Sequence, residues 1–227
     1  MHDEGVLLHL GINYVLSPPP EINKQRLIAF QQAILNAGVD YDRGELTADN
    51  GILILKKTPP LQIKIGANID APIGQLLIIA NPNPTYIPDE FSRIVDMVIQ
   101  AFRSTWTGSR QILSCDASIR YLYQASGDHA FQELWVTRLR QPEASLSIFG
   151  RPILGGGLRF VMPHTDDGSP QIEIKIESYL GNTKQFFIEA IFKWVQTGEF
   201  KPTDRITEVD RFIENQVKTF IQGNNHD

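Results

Sequence analysis

The sequence predicts an α+β fold: two successive β-α-β-β-β-α halves, an antiparallel sheet with its helices on one face, and a further C-terminal helix. Three observations predict it. Residues 6–106 and 111–198 repeat one order of elements: strand, helix, three strands, helix. Each half opens on a long strand of period-two apolarity and closes on a strongly apolar helical stretch. Only Thr107-Gly108-Ser109 separates them, so the halves share a continuous sheet or a tight interface. The division that follows is residues 1–107, residues 108–200, and a C-terminal helix and tail over 201–227, all within reach of a single domain.

The opening strand, GVLLHLGINYVL, places Val6, Leu8, Leu10, Ile12, Tyr14 and Leu16 on one face. Its counterpart, ILSCDASIRYLY, places Leu113, Cys115, Ala117, Ile119, Tyr121 and Tyr123 on one face and Ser114, Asp116, Ser118 and Arg120 on the other. After Ser17-Pro18-Pro19-Pro20, which cannot continue a ladder, Leu27, Phe30 and Ile34 recur at helical spacing and Gly38 stops the helix. In half two, Ser126-Gly127-Asp128 offers a cap, Phe131, Leu134, Trp135 and Leu139 form the stripe, and Pro142 ends it. Three strands are predicted next in each half: 52–56, 61–67 and 75–80, then 144–149, 158–163 and 171–179. Pro88 suits a first helical position ahead of Phe91, Val95, Val98 and Phe102. Phe186 to Val195 is so apolar all round that it predicts a buried helix. Ile206, Val209, Ile213, Val217 and Phe220 mark one face of the last helix, and Asn224 to Asp227 a frayed tail.

Composition narrows the class. A 227-residue chain can bury a sizeable core without staples, and its single cysteine allows no internal disulfide. No span reaches the about 18 apolar residues that a membrane helix needs. The first residues, Met1-His2-Asp3-Glu4, are acidic where a signal peptide is basic, so a cytoplasmic protein is expected.

Several segments bear on function. Gly155-Gly156-Gly157, flanked by Arg151 and Arg159, can cradle an anion through bare backbone N–H groups. The glycines lead into a strand and not a helix, so the alternative is a bulged turn or a close approach of another backbone. His164-Thr165-Asp166-Asp167-Gly168 holds metal-ligand types but reads as a tight turn between strands. Cys115 lies near Asp116 and His129, yet it sits within an apolar alternation, where a lone cysteine packs as a small hydrophobe. The sheet's polar face gathers His9, Asn13, Asp116, Ser118, Arg120, Arg159, Glu173, Lys175, Glu177 and Tyr179. That face is either a binding surface or a solvated face with cross-strand ion pairs. The expected ligand site is the junction of the halves, around Arg120, Arg151, Gly156 and Arg159, with Asp116 and Tyr179 as secondary lining.

The duplicated order of strands and helices resembles the TATA-box-binding-protein-like architecture over residues 6–198, with one strand fewer per half. It also resembles helix-grip folds, in which a curved antiparallel sheet wraps a helix. The arginine spacing of SIRYLY and LGGGLRF, with the late helices, resembles a group of bacterial proteins of unknown function. The first resemblance implies DNA binding. The charge argues against it: 21 basic against 26 acidic residues, net −5, is the wrong field for phosphates. No zinc, dinucleotide, kinase or hydrolase signature is present, so no cofactor, metal or catalytic residue is assigned. The expectation is a non-catalytic module binding a protein or a small anionic ligand, with a homodimer among its assemblies. An enzyme with a novel anion site is the alternative, and nucleic-acid binding the third.

Overall fold

In the computed structural model, described for residues 5–68, 71–166, 168–195, 200 and 202–223, nine strands form one antiparallel sheet. The acidic start, Asp167 and the tail lie outside the described residues. The first half comprises β1 (Val6–Ser17), α1 (Lys24–Asn36), β2 (Arg43–Thr47), β3 (Gly51–Lys56), β4 (Leu61–Ala67), β5 (Gly74–Ala80) and α2 (Pro88–Thr105). The second comprises β6 (Gln111–Gln124), α3 (Ala130–Gln132) running into a π-helical stretch (Glu133–Arg138), and a 3-10 helix (Glu143–Phe149). It continues with β7 (Gly157–Met162), β8 (Gln171–Ser178), β9 (Gln185–Val195) and α4 (Pro202–Phe212), which leads through a π turn into α5 (Lys218–Gln222).

The strand order is β2-β3-β4-β5-β1-β6-β9-β8-β7. It mirrors itself about the β1–β6 seam: in each half the first strand lies innermost, the last lies beside it, and the others follow outward in reverse. The α+β class, the antiparallel sheet and the helices on one face agree with the sequence. Half one carries a strand the sequence did not reveal, β2, whose RGELT has no apolar run to announce it. Among the described residues it has no counterpart beyond β7.

Two assignments are corrected. Gln185–Val195 is a strand and not a helix. Phe186, Ile188, Ala190, Phe192 and Trp194 are buried, the period-two face of a strand. Phe187, Ile191 and Val195 on the other face hide that alternation, and Glu189 and Lys193, four apart, imitate a helix's polar stripe. Residues 144–149 are a 3-10 helix and not a strand. As a result the helical segment from Pro202 follows β9 as α2 follows β5.

Bulges at the seam exchange two expected core residues. Leu7 pairs with Tyr121 and His9 with Arg120, so Leu8 is extra and Val6 turns outward, 51 % exposed. At the other end Leu16 meets Ile112, and Ile112 takes the buried place expected of Leu113. Elsewhere the reading holds. Leu10, Ile12, Tyr14 and Leu16 are buried with Cys115, Ala117 and Ile119. Asn23 caps α1 by accepting the Arg26 N–H at 2.8 Å, and Pro88 opens α2. The Tyr121 and Tyr123 hydroxyls reach past the core to donate to Asp210 and Glu214, two strand positions matching one helical turn.

Candidate functional site

The helix-free face carries one transverse polar row. His9 of β1 stands opposite Arg120 of β6, Arg120 opposite Glu189 of β9, Glu189 opposite Lys175 of β8, and Lys175 opposite Arg159 of β7. Alternate strand residues point to one face, so in-register pairing is enough to align all five. Glu189, 5 % exposed, accepts from Arg120 Nε and Lys175 Nζ, each at 2.6 Å. Burial raises its carboxyl, but the bonds from Lys175 and Arg120 outweigh it and hold the group below the ordinary range. Arg159 grips Glu173 with two bonds, at 2.8 and 2.9 Å.

A second network lies beside the seam. His9 Nε2 is 3.0 Å from Ser118 Oγ, and Asn81 Nδ2 is 3.3 Å from His9 Nδ1. With Asn81 donating, the ring proton sits on Nε2 and is donated to Ser118. Gly11, opposite Ser118, makes the meeting possible: a Cβ there would stand 2.6 Å from His9 Nε2 and 2.9 Å from Ser118 Oγ. Burial, then the Arg120 charge, lowers the His9 pKa to about 4. The imidazole is therefore neutral at pH 7 and a poor base for Ser118, despite a distance suited to proton transfer. Farther along, Gln75 donates to Asn13 at 2.8 Å and Asn13 to Asp116 Oδ2 at 3.3 Å. Asp116 Oδ1 is shielded and can accept one more bond.

The expected site residues do not converge on one place. Arg120, Asp116 and Arg159 share the open face, but Arg120 and Arg159 are separated by three strand spacings, roughly 14 Å. Each is already paired with a glutamate. Gly156 faces the other way: its N–H donates to Ser178 Oγ at 3.0 Å, and a Cβ would strike the Phe131 ring at 2.7 Å. A Cβ on Gly157 would lie 2.3 Å from the Ile176 carbonyl oxygen, the close backbone approach that was one of the two expectations. Tyr179 is 40 % exposed at the end of β8, its ring against Gly181. Arg151 lines a cleft of about 370 Å³ between the α3 segment and the 3-10 helix, with Phe131, Trp135, His129 and Glu143. No hydrogen bond or ion pair ties Arg151 to another described residue.

Other sequence candidates resolve structurally. Cys115 is 1 % exposed, and burial pushes its thiol up to about 12, the condition of an inert packed thiol. His164 Nδ1 lies 2.6 Å from the Ser169 carbonyl oxygen, and Gly168 N–H donates to Thr165 O, forming the β7–β8 turn. Among the described residues no three metal-ligating side chains converge. None of the described helices is long and apolar enough to cross a membrane. Glu189 and Asn81 were missed by the sequence reading, the first because its strand read as a helix, the second because only the fold brings it to His9.

The exposed apolar side chains are concentrated elsewhere. Among the described residues Ile148 (84 %), Leu154 (75 %), Leu180 (74 %) and Phe149 (68 %) exceed every other large hydrophobic in exposure, and all lie between residues 148 and 180. A Cβ on Gly155 would meet Leu180 at 2.8 Å, so the 154–156 segment runs alongside Leu180. Phe160 and Val161 of β7 add exposed apolar surface at the sheet's edge.

No family model matches the chain, and no curated protein does. Among solved structures, it is similar to the AdoMetDC-delta26 monomer of Trypanosoma brucei at 8 % identity and a TM-score of 0.30. That match covers 86 % of this chain and 66 % of the other, just under two thirds of its length. At that score the likeness carries no argument about fold or function.

Proposed function

We propose that this chain is a non-catalytic module that binds a protein through the outer surface of its second half. The observation that carries the reading is the gathering of the most exposed apolar side chains within residues 148–180, beside a strand edge. Exposed apolar side chains gathered in one segment mark an interaction site more often than singly scattered ones do. The polar face supports the same reading by contrast. Its arginines are engaged by Glu189 and Glu173, and its histidine is buried and neutral. An incoming anion would have to compete with built-in carboxylates. The mirrored strand order is compatible with a TATA-box-binding-protein-like saddle, but a row neutralised from within offers little counterion release to DNA.

Cross-linking of the full chain in a lysate of its native cells, with the linked peptides mapped by mass spectrometry, tests the proposal. Partner links are expected on residues 143–180 and should be lost in the double variant Ile148→Ser, Leu180→Ser. Links clustered instead around Arg120 and Lys193, indifferent to that variant, would overturn it. A second reading, capture of a small anionic ligand, is favoured by one feature: the unengaged Arg151 in a cleft lined also by Phe131 and Trp135.

A further inference from the structure

The two edges of the sheet are unequal. In half one, β3 is covered by β2, and Ile52 and Ile54, on its helix side, are buried to 0–1 % exposure. In half two the corresponding outer strand is β7, and among the described residues no strand lies beyond it. Its helix-side residues are Leu158, Phe160 and Met162, paired with Ile176, Ile174 and Ile172. Phe160 remains 39 % exposed there, although it packs against Phe220 at 5.9 Å between ring centroids. A groove of about 130 Å³ opens beside it, walled by Ile174, Ile176, Phe212, Val217 and Phe220. Half two therefore lacks the cover that β2 supplies in half one.

The edge is also unprotected. Natural edge strands are blunted by charge, proline, bulges or brevity. β2 carries Arg43 and Glu45, bonded to each other. The only charge on β7 is Arg159, and it is turned back onto Glu173 of its own sheet. Six residues, GLRFVM, thus offer open backbone donors and acceptors flanked by apolar side chains.

We infer that β7 is the contact edge of a homodimer, in which two copies pair β7 antiparallel with β7 about Phe160. This rests on the protein-binding reading above and names the partner. The strand's own pattern selects the register. Centred on Phe160, the pairing opposes Phe160 to Phe160, Leu158 to Met162, and Arg159 to Val161. Apolar residues then meet only apolar ones on the helix side, and no charge faces its like. Centred one residue earlier, Arg159 would face its own copy, a destabilising cross-strand pair. A symmetric contact uses the same patch on both copies, as the strand's self-complementarity requires.

The test is sedimentation velocity on the full chain over a wide concentration range. The wild type is expected to dimerise. Val161→Arg, at a site 54 % exposed, places an arginine opposite Arg159 twice per dimer. It should raise the dissociation constant by about tenfold or more, with an unchanged circular-dichroism spectrum. Adding Arg159→Glu restores opposite charges across the seam and should bring the constant back to within about threefold of wild type. A dimer indifferent to Val161→Arg overturns the inference. A wild type that stays monomeric while cross-links to another protein fall on residues 143–180 overturns self-pairing and leaves the protein-binding reading intact. A monomer whose cross-links fall elsewhere overturns both.

Discussion

His9 shows how a single side chain couples burial to pH. Free in an unfolded chain it titrates near 6.5, and in the fold near 4. Above about 6.5 neither state binds the proton, and the folded network keeps its full contribution. As pH falls from there to about 4, the unfolded chain takes the proton and the folded one does not, so stability drops with falling pH. The loss amounts to about 3 kcal/mol at its full extent. The charges facing the ring are Arg120, which opposes protonation, and Glu189, which favours it. Urea unfolding between pH 7 and pH 4.5 should therefore show a declining limb that flattens in His9→Gln. Equal slopes in both proteins would refute the assignment. The Glu189 and Glu173 carboxyls are held below their usual range, so their losses begin lower; burial raises the Asp210 and Glu208 carboxyls, which work in the opposite direction, so the His9 part is the difference between wild type and His9→Gln. His9 was legible in the sequence as a residue of the polar face. Ser118 was legible on the same face, but Asn81 was not, because only the fold brings it to the ring from far along the sequence.

Among the elements, β7 and β8 hold each other through a contact that leaves no room for a side chain. Gly157→Ala would set a Cβ 2.3 Å from a backbone oxygen, which cannot rotate away as a side chain could. The expected cost is about 1–3 kcal/mol, the range for overpacking, seen as a lower melting temperature. Gly66→Ala, with open space around its Cβ, should cost clearly less. An alanine at 157 that leaves the melting temperature unchanged would show that the edge yields. Elements were legible where their periodicity was clean. The even face of β1 from Leu10 to Leu16 and the Phe91–Phe102 stripe of α2 are buried as the alternation and the turn dictate. Periodicity failed in β9, where apolar residues occupy both faces, and in β2, where five half-polar residues are drawn into the sheet by backbone pairing with β3. The Gly-rich run was readable as a close approach, but which backbone approaches depends on the β7–β8 register.

At the scale of the molecule, the halves meet in the middle of the sheet. β1 and β6 pair along nearly their whole lengths, and α2 and α4 pack together over them. Separating the halves would expose both strands' ladders and the apolar row beneath, so they should unfold together. Trp106 in half one and Trp194 in half two are each 3 % exposed and report on the two sides. Single-tryptophan variants retaining one or the other should give coincident thermal transitions, and two separate midpoints would contradict the shared core. The mirror order also decides what assembly can follow. A strand edge that recruits a copy is hazardous when both ends of a sheet can do it, because each addition leaves a fresh end for the next. Here one end carries the bonded Arg43–Glu45 pair, charge of the kind that blunts an edge, and the other end, β7, carries no such pair among the described residues. In the proposed dimer two chains would join by the β7 end and leave the charged β2 end on either side. Growth would then terminate at two, and the asymmetry between the halves would act as a stop signal against fibres.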